Sequence, residues 1–212
     1  MKGIKFGNYH SYDDFSLILS QKTIGAPSPK VETIEVPGGD GVLDLTEFFG
    51  DVKYNNRELT FEFSSIVPQA EFMEQFSMIQ NAIHGRKMQI VLDDDAEWYY
   101  IGRITVPEWK AEKNIGKLTI ECDCEPYKLS VKESKFSQNV TNKSEIVLSN
   151  SRMKVIPTIT TSAEMTIAFG GYSGTFSAGT FIIPELELAE GDTTVTVTGA
   201  GTITFVYRKG EL

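Results

Sequence analysis

Four acidic side chains stand almost together at Asp93, Asp94, Asp95 and Glu97. Oxygen donors that dense could hold calcium or magnesium. The D-x-D-x-D-G order of a dedicated calcium loop is missing, however, and the run falls between two strand-like segments, where Asp side chains cap turns. A hairpin turn is the stronger reading and a metal the weaker. Cys122 and Cys124 could begin a zinc site, but the chain has no third cysteine and only His10 and His84 as further donors. Two residues apart on an extended strand they lie about 6.5–7 Å from each other, beyond disulfide reach. Buried, reduced thiols are expected.

Glycoside hydrolysis needs a carboxylic acid of raised pKa and a second carboxylate at a set distance. The candidates Glu58, Glu62, Glu121 and Asp123 alternate outward on strands, and none sits in an apolar setting. A Ser-His-acid triad has little support: Gly170-Gly171-Tyr172-Ser173-Gly174 lacks the G-x-S-x-G spacing, and His84 falls at a helix end where an imidazole meets exposed carbonyls. No phosphate loop or dinucleotide fingerprint occurs. The sequence therefore implies no catalytic residue, no cofactor and no metal, and the chain reads as a non-enzyme.

The elements around these residues are mostly strands. Ile4–Asn8, Phe15–Lys22, Val31–Val36, Arg57–Ile66, Met88–Leu92, Glu97–Val106 and Lys117–Cys124 all read as strand-like. One helix is predicted over Gln69 to His84, with Phe72, Met73, Phe76, Ile79 and Ile83 as its apolar stripe, Pro68 before it and Gly85 as its terminator. Trp98, Tyr99 and Tyr100 must split between the faces of one strand, and Trp109 reads as a loop residue. Core packing or a subunit contact suits these rings better than a sugar platform.

Aliphatic density drops between Tyr127 and Ser137. Beyond it come short alternating runs such as Met165/Ile167/Phe169 and Ile203/Phe205/Tyr207, with breakers at Gly170-Gly171, Gly174, Gly179, Gly191 and Gly199-x-Gly201. This rhythm predicts a small antiparallel β-sandwich. Two domains follow, residues 1–130 and 131–212.

Of the 212 residues, 41% are hydrophobic and 23% charged, as in globular proteins. No apolar run approaches the ~18 residues of a membrane span. The N-terminus lacks an apolar signal core, so synthesis in a cytoplasm is expected. The net charge is −9. Residues 1–130 carry 13 basic and 21 acidic side chains, net −8; residues 131–212 carry 7 and 8, net −1. A nucleic-acid-binding protein needs a basic footprint, and this chain has none.

The most informative stretch is Ile34 to Phe63. A strand-like run breaks at Pro37-Gly38-Gly39-Asp40-Gly41, where three glycines open backbone angles closed to other residues. From Arg57 onward Leu59, Phe61 and Phe63 point one way and Glu58, Thr60 and Glu62 the other. The ordered set Pro29-Lys30, Val36-Pro37-Gly38-x-Asp40-Gly41-x-Leu43-Asp44-Leu45-Thr46 and Tyr54-Asn55-Asn56-Arg57 resembles the distal tail proteins of long-tailed, non-contractile phages. His84-Gly85, Ile90 to Asp95, Tyr100-Ile101-Gly102-Arg103, Glu125-Pro126-Tyr127-Lys128 and a basic ending from Arg208 continue the resemblance in order. Gly39 stands where many relatives carry arginine or another large residue.

The resemblance implies a mainly β fold: a ring-forming N-terminal β-sandwich or barrel-like domain with one α-helix, and a small galectin-like antiparallel β-sandwich behind it. It makes Pro37, Gly38, Asp40, Gly41, Leu43, Asp44, Leu45, Arg57, Gly102, Arg103, Pro126 and Tyr127 the structural family motif. It implies a homo-oligomeric, hexameric ring at the distal end of the virion tail of a phage or prophage, made in the bacterial host cytoplasm. Such a hub joins the tail tube and tape-measure proteins to the tail-tip or receptor-binding proteins and leaves a channel for DNA. Some relatives carry inserted carbohydrate-binding modules, for which this length has no room. The competing reading is a protein that binds host-wall glycans through its C-terminal sandwich. Residues 131–212 contain neither Trp nor His and only Arg152 and Arg208, which weakens it.

Overall fold

The structure is a computed structural model and describes residues 2–48, 50–112 and 115–212. It divides into two compact units, Met1–Pro126 and Tyr127–Leu212, so the boundary lies just ahead of the 130/131 expected from composition. The chain is mainly β, with antiparallel sheets throughout, as the alternating runs implied. Among the described residues no helix is long and apolar enough to cross a membrane.

The first unit contains β1 (Ile4–Phe6), β2 (Tyr9–His10), β3 (Leu17–Ile24), β4 (Thr33–Glu35), β5 (Val42–Asp44), β6 (Arg57–Ser65), α1 (Phe72–Ile83), β7 (Lys87–Leu92), β8 (Trp98–Thr105), β9 (Trp109–Glu112) and β10 (Ile115–Cys124). Its main sheet runs β2-β1-β7-β8-β10-β6-β3, with β9 also paired to β10. The period-two pattern of β6 sets its burial: Arg57, Leu59, Phe61 and Phe63 are buried while Glu58 and Glu62 face solvent. Phe6 of β1 meets Phe61 and Phe63 edge-on at 6.0 and 6.4 Å, although β1 and β6 lie far apart in the sheet. The sheet therefore rolls upon itself. Lys22 of β3 closes the roll through an ion pair with Asp94 in the β7–β8 turn, and the Leu17 amide donates to the Ser11 carbonyl (2.8 Å). Each fully buried Phe of this core contributes about 1.5–3 kcal/mol.

A 3-10 turn, Gln69–Glu71, leads into α1, and Gly85 (φ 74°) ends it in the left-handed region. One expectation for this helix needs correcting, the place of Met73 in its apolar stripe. Met73 is 67% exposed, whereas Gln75 is buried. Helical periodicity lines up Phe72, Gln75, Ile79, Ala82 and Ile83 toward the core and turns Met73 a quarter-circle away. Gln75 tolerates burial because its amide is used at both ends: Nε2 donates to the Phe15 carbonyl (2.6 Å), and Oε1 accepts from the Ser65 hydroxyl (2.7 Å).

Trp109 is not a loop residue. It opens β9 opposite Leu118, and its ring packs on Phe72 and Phe76 at centroid distances of 5.3 and 5.9 Å. Gly116 makes room for it, since a Cβ there would lie 2.3 Å from the indole. His84 does not meet carbonyls; its Nδ1 accepts the Val106 amide proton (3.0 Å).

The second unit contains β11 (Lys128–Ser130), β12 (Ser134–Val140), β13 (Lys143–Asn150), β14 (Thr158–Thr161), β15 (Met165–Phe169), β16 (Tyr172–Phe176), β17 (Gly179–Ile182), β18 (Gly191–Gly199), β19 (Gly201–Tyr207) and β20 (Gly210–Glu211). Two four-stranded sheets, β12-β19-β14-β17 and β13-β18-β15-β16, enclose Ile146, Ile159, Ile167, Val195, Val197 and Phe205. Gly174, expected to break the chain, lies inside β16, where a side chain would press on the Tyr172 hydroxyl and the Phe176 ring. The basic ending is tied down: β20 pairs with β11, and Arg208 donates to the Ser130 and Val131 carbonyls and to Glu133.

Candidate functional site

The residues singled out from sequence fall into two groups. Pro37, Gly38, Asp40, Gly41, Leu43, Asp44 and Leu45 belong to an arm formed by β4 and β5, a two-stranded ladder outside the main sheet. The arm's stem is zipped by backbone bonds, Asn55 amide to Ser28 carbonyl and Lys30 amide to Lys53 carbonyl, both 2.8 Å. Further out the Leu45 amide donates to the Glu32 carbonyl (2.8 Å), and the tip turns through Gly39 N–H to Val36 carbonyl (3.0 Å). Gly38 (φ 80°) and Gly41 (φ 75°) hold left-handed conformations that β-carbons disfavour. Gly39 does not, and a Cβ there would meet only Val36 at 3.4 Å or more. The turn thus has room for a side chain at position 39. Asp44 accepts from Thr46, which holds its carboxyl below the usual carboxylate range.

The arm is polar at its tip but apolar along its length. Val31, Ile34, Val36, Val42, Leu43 and Phe48 are all at least half exposed, Phe48 to 72%. Ile34 and Leu43 are cross-strand partners, so they share a face. Beside them Pro29, Val31, Leu45, Phe48 and Val52 line a hollow of about 510 Å³. A lone two-stranded hairpin is marginally stable in water, and contiguous exposed apolar surface marks an interaction site.

Arg57, Gly102, Arg103 and Pro126 form the second group, at the arm's root. Register places Arg57, Cys124 and Gly102 in one row across β6, β10 and β8. Gly102 is required there, because a Cβ would lie 2.4 Å from the Cys124 sulfur and 2.9 Å from the Asp123 carbonyl oxygen. Arg57 is buried; its Nε donates to the Gly25 carbonyl (2.8 Å) and its Nη1 to the Pro126 carbonyl (3.3 Å). Gly25 begins the arm and Pro126 ends the unit, so one guanidinium pins both. On the opposite face Arg103 stands across from Asp123 and Lys87 and donates to the Gly85 carbonyl (2.6 Å). Tyr127 is the first residue of the second unit.

Two members of the acidic run have structural roles. Asp93 Oδ2 accepts the Gly3 amide (2.6 Å) and lies 3.1 Å from His10 Nε2, while Asp94 pairs with Lys22. Among the described residues no three His, Cys, Asp or Glu side chains are grouped to hold a metal. Cys122 and Cys124 are free and buried, and burial pushes the Cys124 thiol up to about 12 and the Cys122 thiol up as well. In the second unit the stacked pairs Phe169–Tyr172 and Phe176–Phe181, unremarked in the sequence, pack against the sandwich core.

Two antiparallel units, with one α-helix among the described residues, in the first unit, make up a fold also found in a solved phage hub protein. Among the solved structures this chain is similar to is the crystal structure of the SPP1 Dit (gp 19.1) protein, a paradigm of the hub adsorption apparatus in Gram-positive infecting phages, with a TM-score of 0.75. The match covers 98% of this chain and 99% of that chain at 15% sequence identity. No family model and no curated protein matches the sequence.

Proposed function

We propose that this chain is a structural component of the tail tip of a long-tailed phage or prophage. In this reading it is a ring-shaped hub at the distal end of the virion tail, joining the tail tube and tape-measure proteins to the tip or receptor-binding proteins. The fold shared with SPP1 Dit supports the tail-hub class. The observation that carries the ring is the arm. Its apolar residues Ile34, Val36, Val42 and Leu43 are at least half exposed among the described residues, and a second copy would bury them. Reaching from each copy to the next, such an arm makes a heterologous contact, and heterologous contacts form a ring where the rotation between copies closes. Six subunits are expected, leaving a channel for the genome. The role is mechanical, with no substrate and no cofactor.

Electron microscopy and mass photometry of the purified protein, alone and with its tail partners, test this reading. Closed rings of identical subunits are expected. Monomers across a wide concentration range, also with the partners present, overturn it; monomers in dilute solution alone do not, because assembly follows mass action.

A further inference from the structure

Away from the arm, a cleft of about 310 Å³ opens between the N-terminal end of α1 and the loop before β3, lined by Phe15, Ser16, Val67, Glu71, Glu74 and Met78. Its floor is apolar, from Phe15, Val67 and Met78, and exposed Ile66 flanks it. Its lip is acidic. Glu71 and Glu74, three residues apart, lie on neighbouring positions of one helical face. Neither has an ion-pair partner among the described residues, and no Lys or Arg occurs between Arg57 and Arg86.

The wall of this cleft is rigid. Ser16 is the one described non-glycine residue with positive φ (52°), a conformation that persists only where its surroundings enforce it. The Ser16 amide donates to the Tyr12 carbonyl and its own carbonyl accepts from Ile66, both 3.1 Å. Gln75 behind it is locked between Ser65 and Phe15. The Ser16 hydroxyl is left with no partner among the described residues.

We propose that this cleft binds a basic side chain, arginine or lysine, carried on an apolar segment of a partner protein. The alkyl stem of such a residue lies against Phe15, Val67 and Met78 while its charged head reaches Glu71 and Glu74 and relieves their mutual repulsion. Met78 adapts to the neighbouring apolar residue of the partner, as flexible thioethers do. A neutral or acidic segment leaves the two carboxylates unpaired and is rejected. The cleft is separate from the arm, and this inference does not require the ring.

The test uses the full chain and a peptide labelled at its N-terminus, fluoresceinyl-Leu-Leu-Arg-Leu-Leu-amide, with the same peptide carrying neutral citrulline as control. Anisotropy is expected to show saturable binding of the arginine peptide only, weakened at least tenfold by Glu71→Gln with Glu74→Gln. Glu58→Gln with Glu62→Gln, on a different face, is expected to leave it unchanged. Hydrogen exchange is expected to slow at residues 15–16 and 66–78 on binding. Equal binding of the citrulline peptide, or equal loss in both double variants, overturns the proposal. So does absence of saturable binding, or protection of these residues by self-association alone, which would make the cleft a contact between copies. Because ring formation is read separately by microscopy, failure here and failure of the hub reading are distinguishable.

Discussion

The Arg57 guanidinium lies over the Tyr100 ring, 5.3 Å from its centroid. With the Gly25 and Pro126 carbonyls this completes a site for a buried cation that holds the arm's root with no carboxylate partner among the described residues. Replacing Arg57 by Met is expected to destabilise the first unit by about 2–3 kcal/mol, the scale of lost charged hydrogen bonds. Arg57→Lys is expected to recover little, because a point charge cannot serve two divergent carbonyls. Chemical denaturation followed through Trp98 and Trp109 fluorescence checks both; a neutral Arg57→Lys would contradict the clamp.

Gly102 and Cys124 are coupled by close approach. Gly102→Ala is expected to cost about 1–3 kcal/mol through overpacking against the Cys124 sulfur. Adding Cys124→Ala is expected to return part of that loss, leaving the Asp123 carbonyl contact as the remainder. Additive losses in the double-mutant cycle would separate the two residues.

The arm's tip discriminates between Gly39 and Gly41, two residues apart. Gly41→Val places a β-branched residue at φ 75° and is expected to cost about 1–2 kcal/mol of local conformational energy, damaging the arm and ring assembly. Gly39→Arg is expected to be tolerated. Mass photometry and thermal melts of the two variants provide the comparison.

The thiols give a pH dependence. A folded-state thiol pKa raised above its unfolded value contributes stability that is fully present below about pH 9, the ordinary thiol range, and is lost as pH rises toward 12. Stability measured between pH 8 and 11 is expected to fall, and less steeply in Cys122→Ala with Cys124→Ala. At pH 8 iodoacetamide is expected to label neither cysteine until the chain is unfolded.

The charge pattern predicts indifference to nucleic acid. Glu58, Glu62, Glu121 and Asp123 share the outer face of the β6–β10 ladder, with Glu58 directly opposite Asp123. If that face lines the channel, it repels duplex DNA over about one Debye length, ~10 Å at 0.1 M salt. Gel-shift assays near physiological salt are expected to show no complex, and an assembled ring a non-basic inner wall. Tight duplex binding would exclude this.

What the sequence determined by itself was local. The alternation of Leu59, Phe61 and Phe63, the helix after Pro68, the turn at Gly38 and Gly41 and the inert cysteine pair all follow from periods of two or 3.6 residues and from backbone freedom at glycine. Such signals need only neighbouring residues. The tertiary structure decided the rest. Arg57, Cys124 and Gly102 align across three strands although long stretches of chain separate them, and no spacing rule links them. Gln75 is buried while Met73 is exposed because Phe15 and Ser65 offer bonds to the amide, a fact of packing that outweighs hydropathy. Trp109 joins a strand because Gly116 leaves a place for its ring. Burial, register and the cover of polar groups are properties of distant residues brought together, and they exist only once the sheet has rolled.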